Sequence, residues 1–137
     1  MKYEIIKDHQ GLAVKQAIEL WVAVGWGKYS DYNEQKMDLA LKNTDFVVAV
    51  KDKAGILIGL ARVFSDGFMH TCIAEIVVRP NYQGQGIGTR VLKIITKNFG
   101  HTNIFAETMS DTMAEVNKSC GLRYRPKMKV FSRKAEK

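Results

Sequence analysis

The sequence predicts a mixed α/β domain whose elements run β-α-α-β-β-β-α-β-α-β, with a twisted, mostly antiparallel sheet flanked by helices. Three observations carry that prediction. Three strand signals follow one another between residues 46 and 78, and the apolar period then changes from two to 3.6. A glycine-rich stretch, Arg79-Pro80-Asn81-Tyr82-Gln83-Gly84-Gln85-Gly86-Ile87-Gly88, marks the point of change. With 137 residues and an apolar share of 46%, the chain reads as one domain, residues 1–137, with a single core.

Met1 to Lys7 alternates and reads as a short strand. From Gly11 to Val24, the residues Val14, Ala17, Ile18, Trp21 and Val24 share one helical face, and Gly25 and Gly27 end the helix. Asp31 and Glu34 have capping-box spacing for a second helix whose inner face carries Met37, Ala40 and Leu41. The β-branched run Phe46 to Val50 closes at the turn Lys51 to Gly55. Ile56 to Phe64 follows, then the turn Ser65-Asp66-Gly67, then Phe68 to Val78. Tight connections make these antiparallel neighbours. Beyond the glycines, Ile87, Val91 and Ile95, flanked by Leu92 and Phe99, mark an amphipathic helix ending at Gly100. Asn103 to Glu107 reads as a strand, and Asp111 caps a short helix to about Asn117. Tyr124 to Ser132 reads as a closing strand, with Met128 and Val130 alternating.

The charge is +7, from 21 basic and 14 acidic residues. From Lys118 to Lys137 there are eight Lys or Arg against the single Glu136. Such a tail suits solvent, an acidic partner or the phosphates of a small ligand. Nucleic acid is not expected as a partner, because only Tyr124 and Phe131 interleave the charges. No run reaches the roughly 18 apolar residues of a membrane span, and the N-terminus is too polar for a secretory signal. A cytoplasmic protein is expected. Cys72 and Cys120 lack metal-ligand spacing and read as free thiols, so no metal site is expected.

A glycine-rich turn between a strand and a helix makes an anion site. The first amides of a helix have no intrahelical acceptor, and glycines allow close approach and positive φ. The stretch therefore points to a phosphate or pyrophosphate. Gly88 is followed by Thr89-Arg90, which excludes a Walker loop. Gly84-x-Gly86-x-Gly88 is one residue short of a dinucleotide fingerprint, and its preceding strands read as antiparallel.

The stretch Gln83-Gly84-Gln85-Gly86-Ile87-Gly88 resembles the Arg/Gln-x-x-Gly-x-Gly/Ala signature of the GNAT family of acetyl-CoA-dependent N-acetyltransferases. The element order also resembles that family's, and "GWGKY" (Gly25 to Tyr29) and "RVFSDG" (Arg62 to Gly67) look like a small, single-domain bacterial branch of it. The resemblance implies transfer of an acetyl group from acetyl-CoA to a primary amine of a small molecule or peptide, by direct attack in a ternary complex. It implies that the amides of Gln83, Gly84, Gln85, Gly86, Ile87 and Gly88 cradle the pyrophosphate, with the Thr89 hydroxyl beside them. It implies that Ile76, Val77 and Val78 pair with the pantetheine arm, and that the Val78 amide polarises the thioester carbonyl.

The resemblance also frames the proton chemistry. Glu75 stands where relatives often carry an acid; it is either a general base acting through water or a group that pairs with a base or a substrate cation. His70 is a second candidate base, but its parity puts it on the opposite face from Glu75 unless a bulge intervenes. The family's Phe-Tyr-x-x-x-Gly-Phe stretch here reads Val116-Asn117-Lys118-Ser119-Cys120-Gly121-Leu122. Asn117 replaces the tyrosine that serves as general acid, and can hydrogen-bond the pantetheine but not protonate a thiolate. Either the thiolate leaves unassisted, or another group such as Tyr124 or Cys120 substitutes, or activity is weak. Acceptor sites in the family lie between the first two helices, which points to Trp26, Tyr29 and Tyr32 as an aromatic wall for an apolar or cationic amine. Relatives often form homodimers. Two alternatives stay open: a coenzyme A-binding sensor or partner module without turnover, and an RNA-directed acetyltransferase using Lys127, Lys129 and Arg133.

Overall fold

A computed structural model describes residues 2–136. Its elements are β1 (Tyr3–Ile6), α1 (Val14–Ala23), α2 (Glu34–Lys42), β2 (Phe46–Asp52), β3 (Leu57–Ser65), β4 (His70–Val78), α3 (Ile87–Phe99), β5 (Asn103–Ala106) and α4 (Asp111–Ser119). Two 3₁₀ turns, Tyr29–Asp31 and Pro80–Tyr82, precede α2 and α3. The five strands form one sheet in sequence order, with β1 to β4 antiparallel and β5 parallel to β4.

The sheet carries a core on each face. On one side α1 and α2 bury Ala17, Ile18, Leu20, Trp21 and Leu41 against Ala49, Leu57 and Leu60. On the other, Ile87, Val91, Leu92 and Ile95 of α3 pack on Val48, Val50, Ile58 and Val63. The predicted stripe of α3 is thus the stripe that is buried.

Three sequence expectations are corrected. The cap of α4 is Ser110, whose side chain accepts from the Met113 amide, and Asp111 is the first residue of the helix rather than its cap. The cap of α2 is Asn33, whose side chain accepts from the Lys36 amide at 2.9 Å. Asp31 lies in the 3₁₀ turn and accepts instead from the Lys28 amide at 2.8 Å. The closing strand over 124–132 does not form: residues 122–136 carry no regular structure, and Tyr124, Met128, Val130 and Phe131 are exposed. Pro126 removes a ladder donor there, and Arg123, Arg125, Lys127 and Lys129 place like charges at every second residue. The outer edge of β5 consequently has no partner strand among the described residues.

Two irregularities in β4 shape the rest. Arg62 of β3 pairs with Glu75, but Val63 pairs with Ile73, so Ala74 is an extra residue in β4. In addition, β5 pairs only with His70 to Ile73. Beyond that point Ala74 to Val78 runs on without a neighbour on its β5 side.

Candidate functional site

The loop after β4 is fastened up to Gln83, whose amide donates to the Pro80 carbonyl at 3.3 Å, and its amides come free only beyond that point. Arg79 donates through its own amide to the Ile58 carbonyl at 2.8 Å and through Nε to the Leu57 carbonyl at 2.9 Å. Gln83 turns back and donates Nε2 to the Val78 carbonyl at 2.8 Å. Gly84 and Gly86 then take φ of +80° and +84°, the left-handed region that other residues enter at a cost. Gly86 is the N-cap of α3 and has no side chain to satisfy the helix, and the first turn contains no acidic residue. The first amide to reach back is Arg90, which donates to the Gly86 carbonyl at 3.0 Å. The preceding amides of Ile87, Gly88 and Thr89 are left pointing outward at the positive end of the helix dipole. Nothing lies within 4 Å of where a Cβ would stand on Gly84 or Gly86, so the cradle is open.

The neighbouring edge of β4 is polar and, apart from the Val78 carbonyl that Gln83 takes, without a partner strand. Because the Arg79 amide turns toward β3, the strand's alternation turns Val77 the same way and leaves the N–H and C=O of Ile76 and Val78 facing the open side. That side is a cleft between β4 and the end of β5, walled by Ile73, Glu75, Ile76, Glu107, Met113 and Asn117. Asn117 reaches the cleft because α4 is held at both ends. Ser110 caps its start by accepting from the Met113 amide at 3.2 Å. At its other end the Leu122 amide donates to the Asn117 carbonyl at 3.0 Å and the Gly121 amide to the Lys118 carbonyl at 3.1 Å. This is a Schellman closure around Gly121, φ +90°. An open edge, free helix-start amides and a cleft of mixed polarity are what an extended phosphate-bearing ligand requires.

Glu75 also borders the cleft, but its carboxylate is heavily engaged. Oε1 accepts from Arg62 Nε at 2.8 Å and Nη2 at 2.6 Å, and Oε2 accepts from Trp21 Nε1 at 2.5 Å. The Glu75 side chain is only 6% exposed, against 21% for Arg62. Trp21 is a core residue, as its place on the helical stripe predicts, yet its indole N–H serves this carboxylate. Tyr32 stacks on Trp21 with ring centroids 5.5 Å apart, and the Arg62 guanidinium lies 5.8 Å from the Trp21 ring. The Tyr32 hydroxyl donates to the Trp26 carbonyl, while Trp26 itself is half exposed. Burial, then the charges of Asp31 and Glu75, push the Tyr32 phenol up. Tyr29 donates to Glu34 Oε1 at 2.7 Å, and chiefly that hydrogen bond to a carboxylate pushes its pKa up to about 12. Both phenols are thus held protonated near neutral pH. Of the aromatic candidates, Tyr32 joins the cluster beneath the cleft, whereas Trp26 and Tyr29 stand in the connection between α1 and α2 and do not line it.

The extra residue Ala74 also settles the parity of His70 and Glu75. It shifts the alternation by one, so both face the side of α1 and α2. His70 is nevertheless far along the strand, stacked on Phe105 at 4.7 Å, and does not border the cleft. Among the predicted binding residues, Ile87 points into the α3 core and offers backbone only, whereas Val77 points into the α1 core with its backbone turned to β3 and offers the open side neither. Sequence reasoning missed Arg62, Glu107 and Met113. Arg62 carried one readable signal, a lone cation in an otherwise apolar strand.

A family model, the acetyltransferase (GNAT) family, matches residues 13–120. An uncharacterized N-acetyltransferase, ycf52, of Pyropia yezoensis is 26% identical over 107 residues; the match covers 76% of this chain and 60% of that protein's length. An acetyltransferase of the GNAT family from Streptococcus pneumoniae superposes with a TM-score of 0.76 at 23% identity, covering 96% of this chain and 99% of the other. The structure of AAC(6')-Iy in complex with a coenzyme A bisubstrate analogue superposes with a TM-score of 0.70 at 14% identity, covering 98% and 99%. The chain belongs to the GNAT acetyltransferase family.

Proposed function

We propose that this protein transfers an acetyl group from acetyl-CoA to a primary amine of a small molecule or peptide, by direct attack in a ternary complex. The observation that carries the reading is the release of β4 from β5 after Ile73, beside the free amides of the glycine loop. Acetyl-CoA supplies a pyrophosphate, an amide-bearing arm and an acyl thioester. The amides from Gly84 to Gly88 hold the pyrophosphate, with the Thr89 hydroxyl at the helix start, while the Gln83 amide is engaged by the Pro80 carbonyl at 3.3 Å. The exposed edge of Ile76 and Val78 pairs with the arm, and Val77 keeps that edge in register by packing into the α1 core. The Val78 amide faces the open side and is positioned to donate to the carbonyl oxygen as charge develops there, a role worth about 3 kcal/mol in other acyl transfers. Asn117 hydrogen-bonds the arm. Trp26, Tyr29 and Tyr32 shape the approach of the amine from the α1–α2 side.

The experiment is calorimetry with acetyl-CoA together with free-thiol release over a broad panel of amines. Binding in the micromolar range and thiol release with at least one amine is expected; neither binding nor release refutes the reading. One observation favours a second function, a coenzyme A-binding module without turnover. Asn117, which cannot donate a proton to a thiolate, stands in the cleft. Tight binding with no thiol release from any amine would establish that alternative.

A further inference from the structure

We infer that the group accepting the proton from the incoming amine is Glu107, with Glu75 serving as a positioning residue; this rests on the acetyl-transfer reading above. Both carboxylates border the cleft. They differ in what they have left to offer. Three donors already occupy Glu75, and its side chain is nearly sealed from water. Protonating it would weaken the two-donor contact that Arg62 makes with Oε1 and leave that cation half buried without a counter-charge. Glu107, by contrast, is exposed to solvent, and no hydrogen bond or ion pair reaches it among the described residues.

Its direction also fits. Ile104 and Ala106 of β5 pack into the α3 core, while Phe105 stacks on His70 on the opposite side of the sheet. Alternation therefore turns Glu107 to the face of α1 and α2, from which the amine approaches. It follows Ala106, the last residue of β5 paired to β4, so it stands at the mouth where the two strands part. Glu75, joined to Trp21 and through it to Tyr32, instead fixes the bulged stretch of β4 against the wall of the acceptor side.

The proton balance is simple. The substrate ammonium gives one proton to the Glu107 carboxylate through a water, and the free amine attacks the thioester carbon. A C–N bond forms and the C–S bond breaks. The second nitrogen proton goes to the departing thiolate, directly or through water, and Glu107 returns its proton to solvent. General-base help of this kind is worth about 10²–10⁴-fold.

The test compares wild type, Glu107→Gln, Glu107→Asp and Glu75→Gln with tyramine, spermidine, kanamycin and a lysine-containing hexapeptide as acceptors. For the best acceptor, kcat/KM of Glu107→Gln is expected to fall by about 100-fold at pH 7. That defect shrinks as pH approaches the amine's own pKa, where free amine needs no base, and Glu107→Asp falls in between. Acetyl-CoA affinity by calorimetry and the melting temperature stay at wild-type values in Glu107→Gln, whereas Glu75→Gln lowers the melting temperature. Retention of more than a third of kcat/KM by Glu107→Gln, or a loss that does not change with pH, overturns the inference while leaving acetyl transfer intact. Wild type that neither binds acetyl-CoA nor releases thiol with these four or any other amine of the broad panel overturns the reading beneath it.

Discussion

Replacing Arg62 with Met removes the main partner of a carboxylate whose side chain is 6% exposed, while Met keeps most of the hydrocarbon stem. Breaking a buried pair from one side costs about 3–5 kcal/mol. Arg62 itself retains 21% of its side-chain surface, and Trp21 still donates to Glu75, so the loss falls at the lower end, about 3 kcal/mol. With an unfolding entropy of roughly 2.1 cal/mol/K per residue, 137 residues give about 0.29 kcal/mol/K, and Tm drops by about 10 °C. The reverse change, Glu75→Gln, is gentler at about 1–1.5 kcal/mol, because it strands the better-exposed cation and leaves a neutral acceptor in place. The double variant is therefore expected to be more stable than Arg62→Met alone, by about 1.5 kcal/mol, since no buried charge remains. Urea unfolding of the four proteins closes the cycle. A loss below about 1 kcal/mol in Arg62→Met, or a larger loss in Glu75→Gln than in Arg62→Met, would refute this account of the cluster.

Other outcomes follow from local geometry. Gly86→Ala forces a Cβ into φ +84°, at about 1–2 kcal/mol, and calorimetry should show acetyl-CoA affinity falling by about tenfold as the loop relaxes. Asp66 accepts the amides of Met69, Phe68 and His70, which lowers its pKa from 3.8 to about 2. The hairpin stabilisation is thus complete above pH 3.8 and is lost as pH falls toward 2, so Asp66→Ala should flatten the fall of Tm between those values. Tyr29, raised from 10.0 to about 12 by Glu34, favours the folded state below pH 10.0 and loses that effect as pH climbs through 12. Tyr29→Phe should remove a phenolate step from the ultraviolet titration of the folded protein above pH 10.0.

Local pattern was enough to read the glycine loop and the helix after it, because Gly84, Gly86 and the stripe from Ile87 to Ile95 act through bonds and faces a few residues apart. That Asn117 stands where relatives carry a tyrosine came from the family resemblance and not from local pattern. What it did not reveal depends on register. Arg62 meets Glu75 only because β3 and β4 pair across a hairpin, and Ala74 shifts that register by one without any residue type announcing a bulge. Glu107 reads as the end of a strand; that it stands where two strands part is decided by how far β5 pairs, at Ala106. The segment 124–132 failed in the opposite sense. Its alternation is real, but a strand needs a neighbour, and alternation within one segment says nothing about whether an edge will receive it.

The contact between Gln83 and Val78 has a bearing on what the cleft will accept. An open strand edge ordinarily offers donors and acceptors in turn, and so welcomes either sense of partner. Here the terminal acceptor, the Val78 carbonyl, is already satisfied by the Gln83 amide, while the Val78 N–H and the helix-start amides beyond it stay available. The last stretch of the edge is therefore one-signed in hydrogen bonding: it gives and does not take. A guest laid along it must present oxygen at that end, which fixes the direction in which a long, asymmetric molecule can lie before any side chain has touched it.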